Sequence, residues 1–587
     1  MMIDAKPITI HKLNPARSQL KGRQVSPQAR EEVLGLMQKV WPITAEQPFR
    51  RDLLIEYLHA LSDAFGAVFE RHIAALAECM KLSQAEVFEV ASFYHHFEIL
   101  RDDQAAPSLR VRVCNGLSCT MAGANELLAK LPALLQADVK VEPVPCIGRC
   151  EVAPAAAVGQ RNVGNASSSV LLQIIKQKEH LANVDTAQGA IGIIAFEKYQ
   201  SAGGYALLRD MAAKRRDQES VISALEHAGL RGLGGAGFPA GRKWRIVRDQ
   251  PSPRLMAINI DEGEPGTFKD RWYLERDPHR FLEGMLIAAQ VVGISAIYIY
   301  LRDEYHELRE MLHAELDKLR AHAFMFAPYE LPRIELRRGA GAYICGEESA
   351  MIESIEGRRG EPRMRPPYIA QVGLFGRPTL AHNFETLFWV REIVEKGGEW
   401  FGSHGRNGRK GLRSFSVSGR VKNPGVKLAP AGISVRELID EYCGGMVDGH
   451  ALYAYLPGGA SGGILPASLA HVPLDFDTLQ EYGCFIGSAA VIVLSQHDKA
   501  RDAALNQMNF FAHESCGQCT PCRVGTEKSA KLMEAIVWDQ TTLNDLSTVM
   551  VDASICGLGQ AAPNPMLSVL KYFPEEVGAG NSTGALQ

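Results

Sequence analysis

Apolar side chains recur at three-to-four spacing from residue 26 to about 100. That period places them along one face of successive helices. Ser26-Pro27 predicts a helix start, since serine caps a helix and proline fits its first turn. The stretch DLLIEYLHALSDAFGAVFERHIAALAECM, 52–80, continues the helical period. Ser83 with Glu86 three residues on reads as a further cap. From 108 the pattern shortens. SLRVRVC and VKVEPVP predict strands, 123–131 a helix stopped near Pro132, and SVLLQIIKQK another helix. Beyond a weakly patterned linker at 180–195, the apolar runs RLMAINI, AIYIYL and RIELR alternate with helical segments. That alternation predicts a sheet flanked by helices. Within it, a helix breaks at Gly293 and enters the strand ISAIYIYL. From 411 to 490, RSFSVSGRV alternates, VRELIDEYCGG reads as one helix, and the remainder is rich in glycine and proline. Residues 497–573 are again mostly helical.

Composition adds bounds to this outline. The chain has 587 residues, and at roughly 150 residues per domain that makes about four units. With 46% hydrophobic and 22% charged residues it is globular. A net charge of −4 offers no basic footprint for nucleic acid. The N-terminal residues 1–25 lack the apolar core of a secretory signal and read as a flexible arm. The most apolar stretch, 286–301, is interrupted by Gln290, Gly293 and Ser295 and is too short to span a bilayer. A cytoplasmic protein is expected, without direct membrane insertion.

Eight of the twelve cysteines fall into two sets. SCGQCTPCRVGT places Cys516, Cys519 and Cys522 at C-x2-C-x2-C, with Cys556 in SICGLGQ available as a fourth ligand. Such a loop can cap three corners of a [4Fe–4S] cubane, and four thiolates also suit zinc. The other set pairs Cys114 with Cys119 and Cys146 with Cys150, each pair following a predicted strand. Two pairs at one end of a sheet suit a [2Fe–2S] rhomb, with zinc again the alternative. Without a secretory signal, disulfides are the weaker reading. Cys79, Cys345, Cys443 and Cys484 are scattered and read as buried thiols.

Two other segments carry ligand chemistry. RGLGGAGFPAGRKW supplies Gly232, Gly234, Gly235 and Gly237, so backbone N–H groups can approach a phosphate, and Lys243 adds a cation in the same loop. NIDEGEPGTFKDR follows the strand RLMAINI and crowds Asn259, Asp261, Glu262 and Glu264 at its carboxyl end, where open α/β sheets bind ligands. A structural turn and a solvated acidic loop are the plain alternatives. RRGAGAYICGEESA adds a second glycine loop with Glu347 and Glu348 opening a helix, where a capping role suffices.

Taken together, RGLGGAGFPAGRKW, NIDEGEPGTFKDR, GAYICGEESA, ESCGQCTPCRVGT and SICGLG resemble, in order, the flavoprotein subunit of respiratory complex I and its relatives. EVASFYHHF and the first two cysteine pairs resemble the thioredoxin-like [2Fe–2S] subunit of the same family. Both on one chain look like the large diaphorase subunit of NAD-reducing soluble [NiFe]-hydrogenases. The resemblance implies a multidomain α/β protein: a helical region over 26–105, a thioredoxin-like [2Fe–2S] domain over 106–185, and a Rossmann-like FMN/NAD(H) domain over 195–405. A ubiquitin-like β-grasp domain over 411–490 and a helical bundle with the [4Fe–4S] cluster over 497–575 complete it.

Residue by residue, it implies FMN on Gly232, Gly234, Gly235, Gly237, Lys243, Asn259, Asp261, Glu262, Tyr343, Gly346, Glu347 and Asn383. NAD(H) is implied near Phe238, Glu264, Glu348, Arg365 and Tyr368. The chain departs from the family at Leu233 and His382, where Arg and Asn are usual, and at Arg365 and Tyr368, which replace Lys and Phe. No protein acid or base is required, because flavin carries the hydride chemistry. The implied function is diaphorase exchange of hydride between NAD(H) and FMN and of single electrons between FMN and the clusters. The implied partners are an iron–sulfur relay subunit and [NiFe]-hydrogenase subunits. The alternatives are a formate dehydrogenase or complex I-like assembly, or a flavin-free relay subunit.

Overall fold

The computed structural model describes residues 23–42, 49–178 and 192–578. The expected arm falls almost wholly outside these residues, as does most of the expected linker. The described residues form two compact units, one running to Ser92 with Phe97–Ala106, the other comprising Phe93–His96 and the chain from Pro107.

The first unit is helical, with helices Pro27–Val40, Leu54–Phe65, Glu70–Met80 and the start of Gln84–Phe93. Ser26 Oγ accepts the Ala29 N–H at 3.1 Å, and Ser83 Oγ accepts the Glu86 N–H at 3.1 Å. The apolar period over 52–80 is divided at Gly66, which adopts φ 73° and ends the second helix. Just beyond it, a two-residue strand β1 (Val68–Phe69) pairs in parallel with β2 (Ile99–Leu100).

The second unit contains three sheets and a helical segment. β3 (Leu109–Cys114), β4 (Val139–Val144), β5 (Ala156–Val158) and β6 (Arg161–Val163) form a sheet of order β4-β3-β5-β6. β3 and β4 run parallel, so the cysteines that follow them emerge at the same end. The short helix Leu117–Met121 is not marked by any sequence pattern, yet it carries Cys119.

The next sheet is wholly parallel: β7 (Arg254–Ile260), β8 (Ile294–Leu301), β9 (Arg333–Arg338) and β10 (Thr379–Asn383), in the order β10-β7-β8-β9. β10 is missing from the sequence reading, because TLAHN is too short to show a period. It lies on the opposite side of β7 from β8, so the strand order reverses at β7. That reversal opens a crevice at the carboxyl ends of β7 and β10. Helix Pro278–Val292 ends on Gly293 at φ 72°, and β8 begins at the next residue, as the sequence implies.

The third sheet has the order β12-β11-β15-β13-β14, from β11 (Leu412–Gly419), β12 (Gly425–Pro430), β13 (Leu452–Leu456), β14 (Leu465–Pro466) and β15 (Ala490–Ser495). β11 pairs in parallel with β15, as a mixed β-grasp sheet requires. The alternation read in RSFSVSGRV does not produce a wet face: Arg413 to Ser418 are all buried, with Ser416 accepting the Phe268 N–H and Ser414 and Ser418 sharing hydrogen bonds with the hydroxyls of Tyr273 and Ser118. VRELIDEYCGG is not one regular helix either. Three residues, Val435–Glu437, are α-helical, and Leu438–Tyr442 widen into a π-turn. Helices Ala500–Glu514, Thr520–Met533, Gln540–Ala553, Gly557–Ala561 and Asn564–Tyr572 finish the described chain. Among the described residues no helix is long and apolar enough to cross a membrane.

Packing between helices Pro278–Val292 and Phe384–Phe388 leaves no room for a side chain at Gly284, where a Cβ would overlap the Leu387 carbonyl oxygen. Backbone cannot yield as a side-chain tip does, so Gly284→Ala should destabilise the fold by about 1–3 kcal/mol. A lowered thermal midpoint checks this, and an unchanged midpoint would contradict so close a helix contact.

Candidate functional site

The crevice at the ends of β7 and β10 opens into a cavity of about 540 Å³, within the size range of cofactor pockets. Its walls come from three parts of the second unit. Gly234, Asn259, Asp261, Tyr343 and Asn383 come from the parallel-sheet region, Ser461 and Ser488 from the β-grasp region, and Gly557 and Asn564 from the helical segment.

Each acidic residue read from the sequence has a distinct environment. Asn259 shapes the loop: its Nδ2 donates to the Gly346 carbonyl at 2.8 Å and its Oδ1 accepts the Asp261 N–H at 2.9 Å. Asp261 Oδ2 is buried with no hydrogen-bond partner, and burial pushes its carboxyl up to about 8, opposed by Arg302. A buried acceptor left open in this way needs a donor. Glu262 has none to spare. Its carboxylate accepts the N–H groups of Asp270 and Arg271 and the Tyr305 hydroxyl, while burial and the Asp270 charge hold it up at about 7. Glu264 is clamped by the Tyr343 hydroxyl and by Ser461 N–H and Oγ. Glu347 caps helix Glu348–Ile355 through the Ser349 and Ala350 N–H groups, so the plain capping role is real. Glu347 and Glu348 both pair with Arg365. Tyr368 is 55% exposed and Phe238 38% exposed.

At Gly234 and Gly237 the glycine loop packs too closely against neighbouring side chains to carry a side chain of its own. A Cβ on Gly234 would lie 2.9 Å from Asn383 Cβ, and one on Gly237, at φ 65°, would lie 2.7 Å from the Phe476 ring. Gly232 accordingly stays backbone-bonded, its N–H reaching the Phe238 carbonyl at 2.8 Å. Lys243 is not in this loop, as the sequence suggested, but on helix Ala240–Arg248. Its Nζ donates to the Ala381 carbonyl at 3.1 Å and lies 3.8 Å from Glu348. Two of the four departures from the family pattern, Leu233 and His382, face away from the cavity. Leu233 is buried, with its N–H on Thr386 Oγ1 at 2.9 Å. His382 is buried in β10, where its Nε2 accepts the Trp244 indole N–H at 2.7 Å and burial holds the ring neutral.

Asn383 ends β10 directly beside Asn259 of β7. It is positioned by a buried ionic group that sequence reasoning missed. Asn383 Nδ2 donates to Asp270 Oδ2 at 2.6 Å, and Lys269 Nζ lies 2.7 Å from Asp270 and 3.0 Å from Glu385. Buried charges persist only when paired, and KDR in NIDEGEPGTFKDR is the one signal that could have pointed there.

Both cysteine sets converge. Cys516, Cys519, Cys522 and Cys556 line one small cavity with Ile344 and Leu558. Cys522 lies in the first turn of helix Thr520–Met533, not in a loop. Burial pushes Cys522 up to about 11 and Cys556 to about 12, so these sulfurs become thiolates at neutral pH only against a cation. Cys114, Cys119, Cys146 and Cys150 are buried in one core, with Cys146 and Cys150 sulfurs 3.3 Å apart. Cys119 accepts the Ala155 N–H, and the Gly266 N–H points at Cys146. Gly266 lies on the acidic loop, so the large cavity is flanked by both sets.

Four family profiles match segments of the chain: the Nuo51 FMN-binding domain at 225–392, the NADH-ubiquinone oxidoreductase-F iron–sulfur binding region at 502–580, a thioredoxin-like [2Fe–2S] ferredoxin at 41–179, and an SLBB domain at 414–465. An NADH-quinone oxidoreductase subunit of Rhizobium meliloti is 38% identical over 413 residues, 68% of this chain and 96% of that protein. The chain belongs to the family of NADH-quinone oxidoreductase flavoprotein subunits. Other members of the family include the mitochondrial NADH dehydrogenase flavoprotein 1 of Dictyostelium discoideum, 39% identical over 62% of this chain and 79% of its own. A solved NAD+-reducing [NiFe]-hydrogenase in the H2-reduced state is 32% identical, covering 92% of this chain and 94% of the matched chain, with a TM-score of 0.79. The expected fold class and the expected cofactor set of FMN, [2Fe–2S] and [4Fe–4S] are thereby borne out. The protein is a diaphorase-type flavoprotein of this family, and the iron–sulfur expectation stands over its zinc alternative.

The raised Asp261 carboxyl sets a pH dependence. Its folded value, about 8, lies above the unfolded 3.8. The folded state therefore holds the extra proton between those values, and stability of flavin-free protein falls as pH rises through that window. Asp261→Asn should raise the melting temperature of the flavin-free protein at pH 8 more than at pH 5. Equal shifts at both values would count against a buried, unpartnered carboxyl.

Proposed function

We propose that the chain is the diaphorase subunit of an NAD-reducing [NiFe]-hydrogenase, exchanging hydride between NAD(H) and FMN and single electrons between FMN and the clusters. The observation that carries this reading is the shared wall: Ile344 and Leu558 line both the large cavity and the four-cysteine cavity. A flavin in the first then lies one layer of side chains from a cluster in the second. Both cluster domains on one chain, matched along nearly its whole length by the hydrogenase structure, favour that assembly over a stand-alone flavoprotein of a respiratory complex.

Bound FMN would accept a hydride from reduced nicotinamide and pass electrons on singly. The chain's residues bind and orient it. The backbone N–H groups of Gly234 and Gly235, which line the cavity, take the phosphate, as glycine loops do, while Gly232 and Gly237 hold the loop's own hydrogen bonds and Lys243 stands behind it. Asp261 Oδ2 supplies the open acceptor for a ribityl hydroxyl. Asn259, Gly346 and Asn383 hold the loop ends, Glu262 braces the acidic loop from behind, and Tyr343 and Glu347 close the side. Phe238 offers an exposed ring for stacking the nicotinamide dinucleotide, with Tyr368 and Arg365 toward the adenine half. Glu264 and Glu348 contribute carboxylates at the ribose and carboxamide. Arg365, engaged by Glu347 and Glu348, is poorly placed to favour a 2′-phosphate, which supports NAD over NADP. Cys516, Cys519, Cys522 and Cys556 hold the [4Fe–4S] cluster, and Cys114, Cys119, Cys146 and Cys150 the [2Fe–2S] cluster. The partners would be an iron–sulfur relay subunit and [NiFe]-hydrogenase subunits, in the cytoplasm.

Two variants test the reading. Gly234→Val should lose flavin and NADH–dye activity together while cluster iron stays. Cys556→Ser should keep flavin and dye reduction but lose the [4Fe–4S] EPR signal and electron delivery to the partner. Retention of flavin by Gly234→Val would remove the glycine loop from the site. Purification without any nickel-binding partner, with NADH–dye activity intact, would exclude the hydrogenase assignment alone.

A further inference from the structure

One side-chain cluster beside the cofactor cavities belongs to neither cofactor. His95 lies in the segment Phe93–His96, which packs within the second unit. The segment is fixed on both sides of it: the Tyr94 hydroxyl donates to the Arg358 carbonyl at 2.7 Å, and the His96 ring lies 2.9 Å from Asp303. The His95 ring stacks on His513, with centroids 4.2 Å apart and planes at 23°. His513 Nδ1 is 3.0 Å from Glu514 Oε1. One ligand atom from each of the three residues lies within 4.8 Å of the others. Glu514 is 5% exposed, while both rings are open to solvent. The second oxygen of Glu514 accepts the Tyr343 N–H at 2.9 Å.

We propose that His95, His513 and Glu514 form a binding site for a divalent transition-metal cation of the zinc type, separate from both cysteine sets. Two imidazoles and one carboxylate are borderline ligands, suited to zinc, nickel or cobalt and poorly suited to magnesium or calcium. Two donors at about 2.1 Å from one ion stand roughly 3–4 Å apart. The His513–Glu514 pair already has that spacing. His95 presents its ligand atom within 4.8 Å of both and reaches that spacing by a turn of its exposed ring. Three protein ligands leave a fourth position for water, and the exposed face supplies it. Glu514 would then join two roles. One oxygen binds the ion, and the other holds the backbone of Tyr343, which lines the flavin cavity. Ser515 and Cys516 follow directly, so the ion would pin the entry to the cluster loop from outside.

The test uses full-length protein with complete flavin and cluster content, washed with chelator and titrated calorimetrically with zinc chloride. One saturable site is expected in the wild type. His95→Ala and His513→Ala should each weaken it by at least about tenfold, the lower bound seen even when an outer-shell partner is lost. Cobalt at the site should also speed the relaxation of the reduced [4Fe–4S] EPR signal in the wild type but not in His95→Ala. His513 is near the cluster loop, so a variant there that loses cluster iron is set aside and His95→Ala decides. No saturable zinc binding, or unchanged affinity and relaxation in His95→Ala, would overturn the proposal.

Discussion

Two buried guanidiniums hold the second unit's cofactor regions in register. Arg302 donates to the carbonyls of Glu262 and Cys146 and pairs with Glu304. Arg271 donates to the Gly148 carbonyl and pairs with Glu151 and Glu275. Each thus spans from the acidic loop at the end of β7 to the loop bearing Cys146 and Cys150. A charge at this depth is tolerated only with complete pairing, and removing one partner of such a pair costs roughly 3–5 kcal/mol. The cost of misplacing either loop is therefore high, and the two loops behave as one body.

That body explains why so many acidic groups crowd one strand end without repelling the fold apart. Glu262 faces backward onto N–H groups and Tyr305, Glu264 sideways onto Tyr343 and Ser461, and Asp270 onto Lys269 and Asn383. Only Asp261 keeps an oxygen without a protein donor. The loop is thus a frame built largely from satisfied carboxylates around one that is open. Burial makes the open one costly until a ligand hydroxyl meets it.

Much of this was legible in the sequence where a motif carries its own geometry. The C-x2-C-x2-C spacing brings three sulfurs together locally, and the glycines of 232–237 mark a backbone that must approach something closely. Strands β7 and β8 showed themselves as unbroken apolar runs. What stayed hidden depends on distant pairing. β10 is five residues long and reveals itself only by lying against β7. The buried triad of Lys269, Asp270 and Glu385 reads as solvated charge until the fold closes over it. Leu233 and His382 looked like losses from the flavin site because side-chain direction cannot be read from a motif. The structure turns both toward the core, where one packs and one accepts a bond from Trp244.

The large cavity draws its walls from the parallel sheet, the β-grasp sheet and the helical segment, and it shares Ile344 and Leu558 with the cysteine cavity. Its parts therefore cannot be exchanged like beads on a string. A gene fragment encoding the glycine loop and its sheet would specify a binding groove open on two sides. Recombination that moved the helical segment to another protein would strip both redox centres from the donor at once. The stretch from the glycine loop to the last helix is therefore one unit of inheritance in physical terms, because no part of it encloses a redox centre alone.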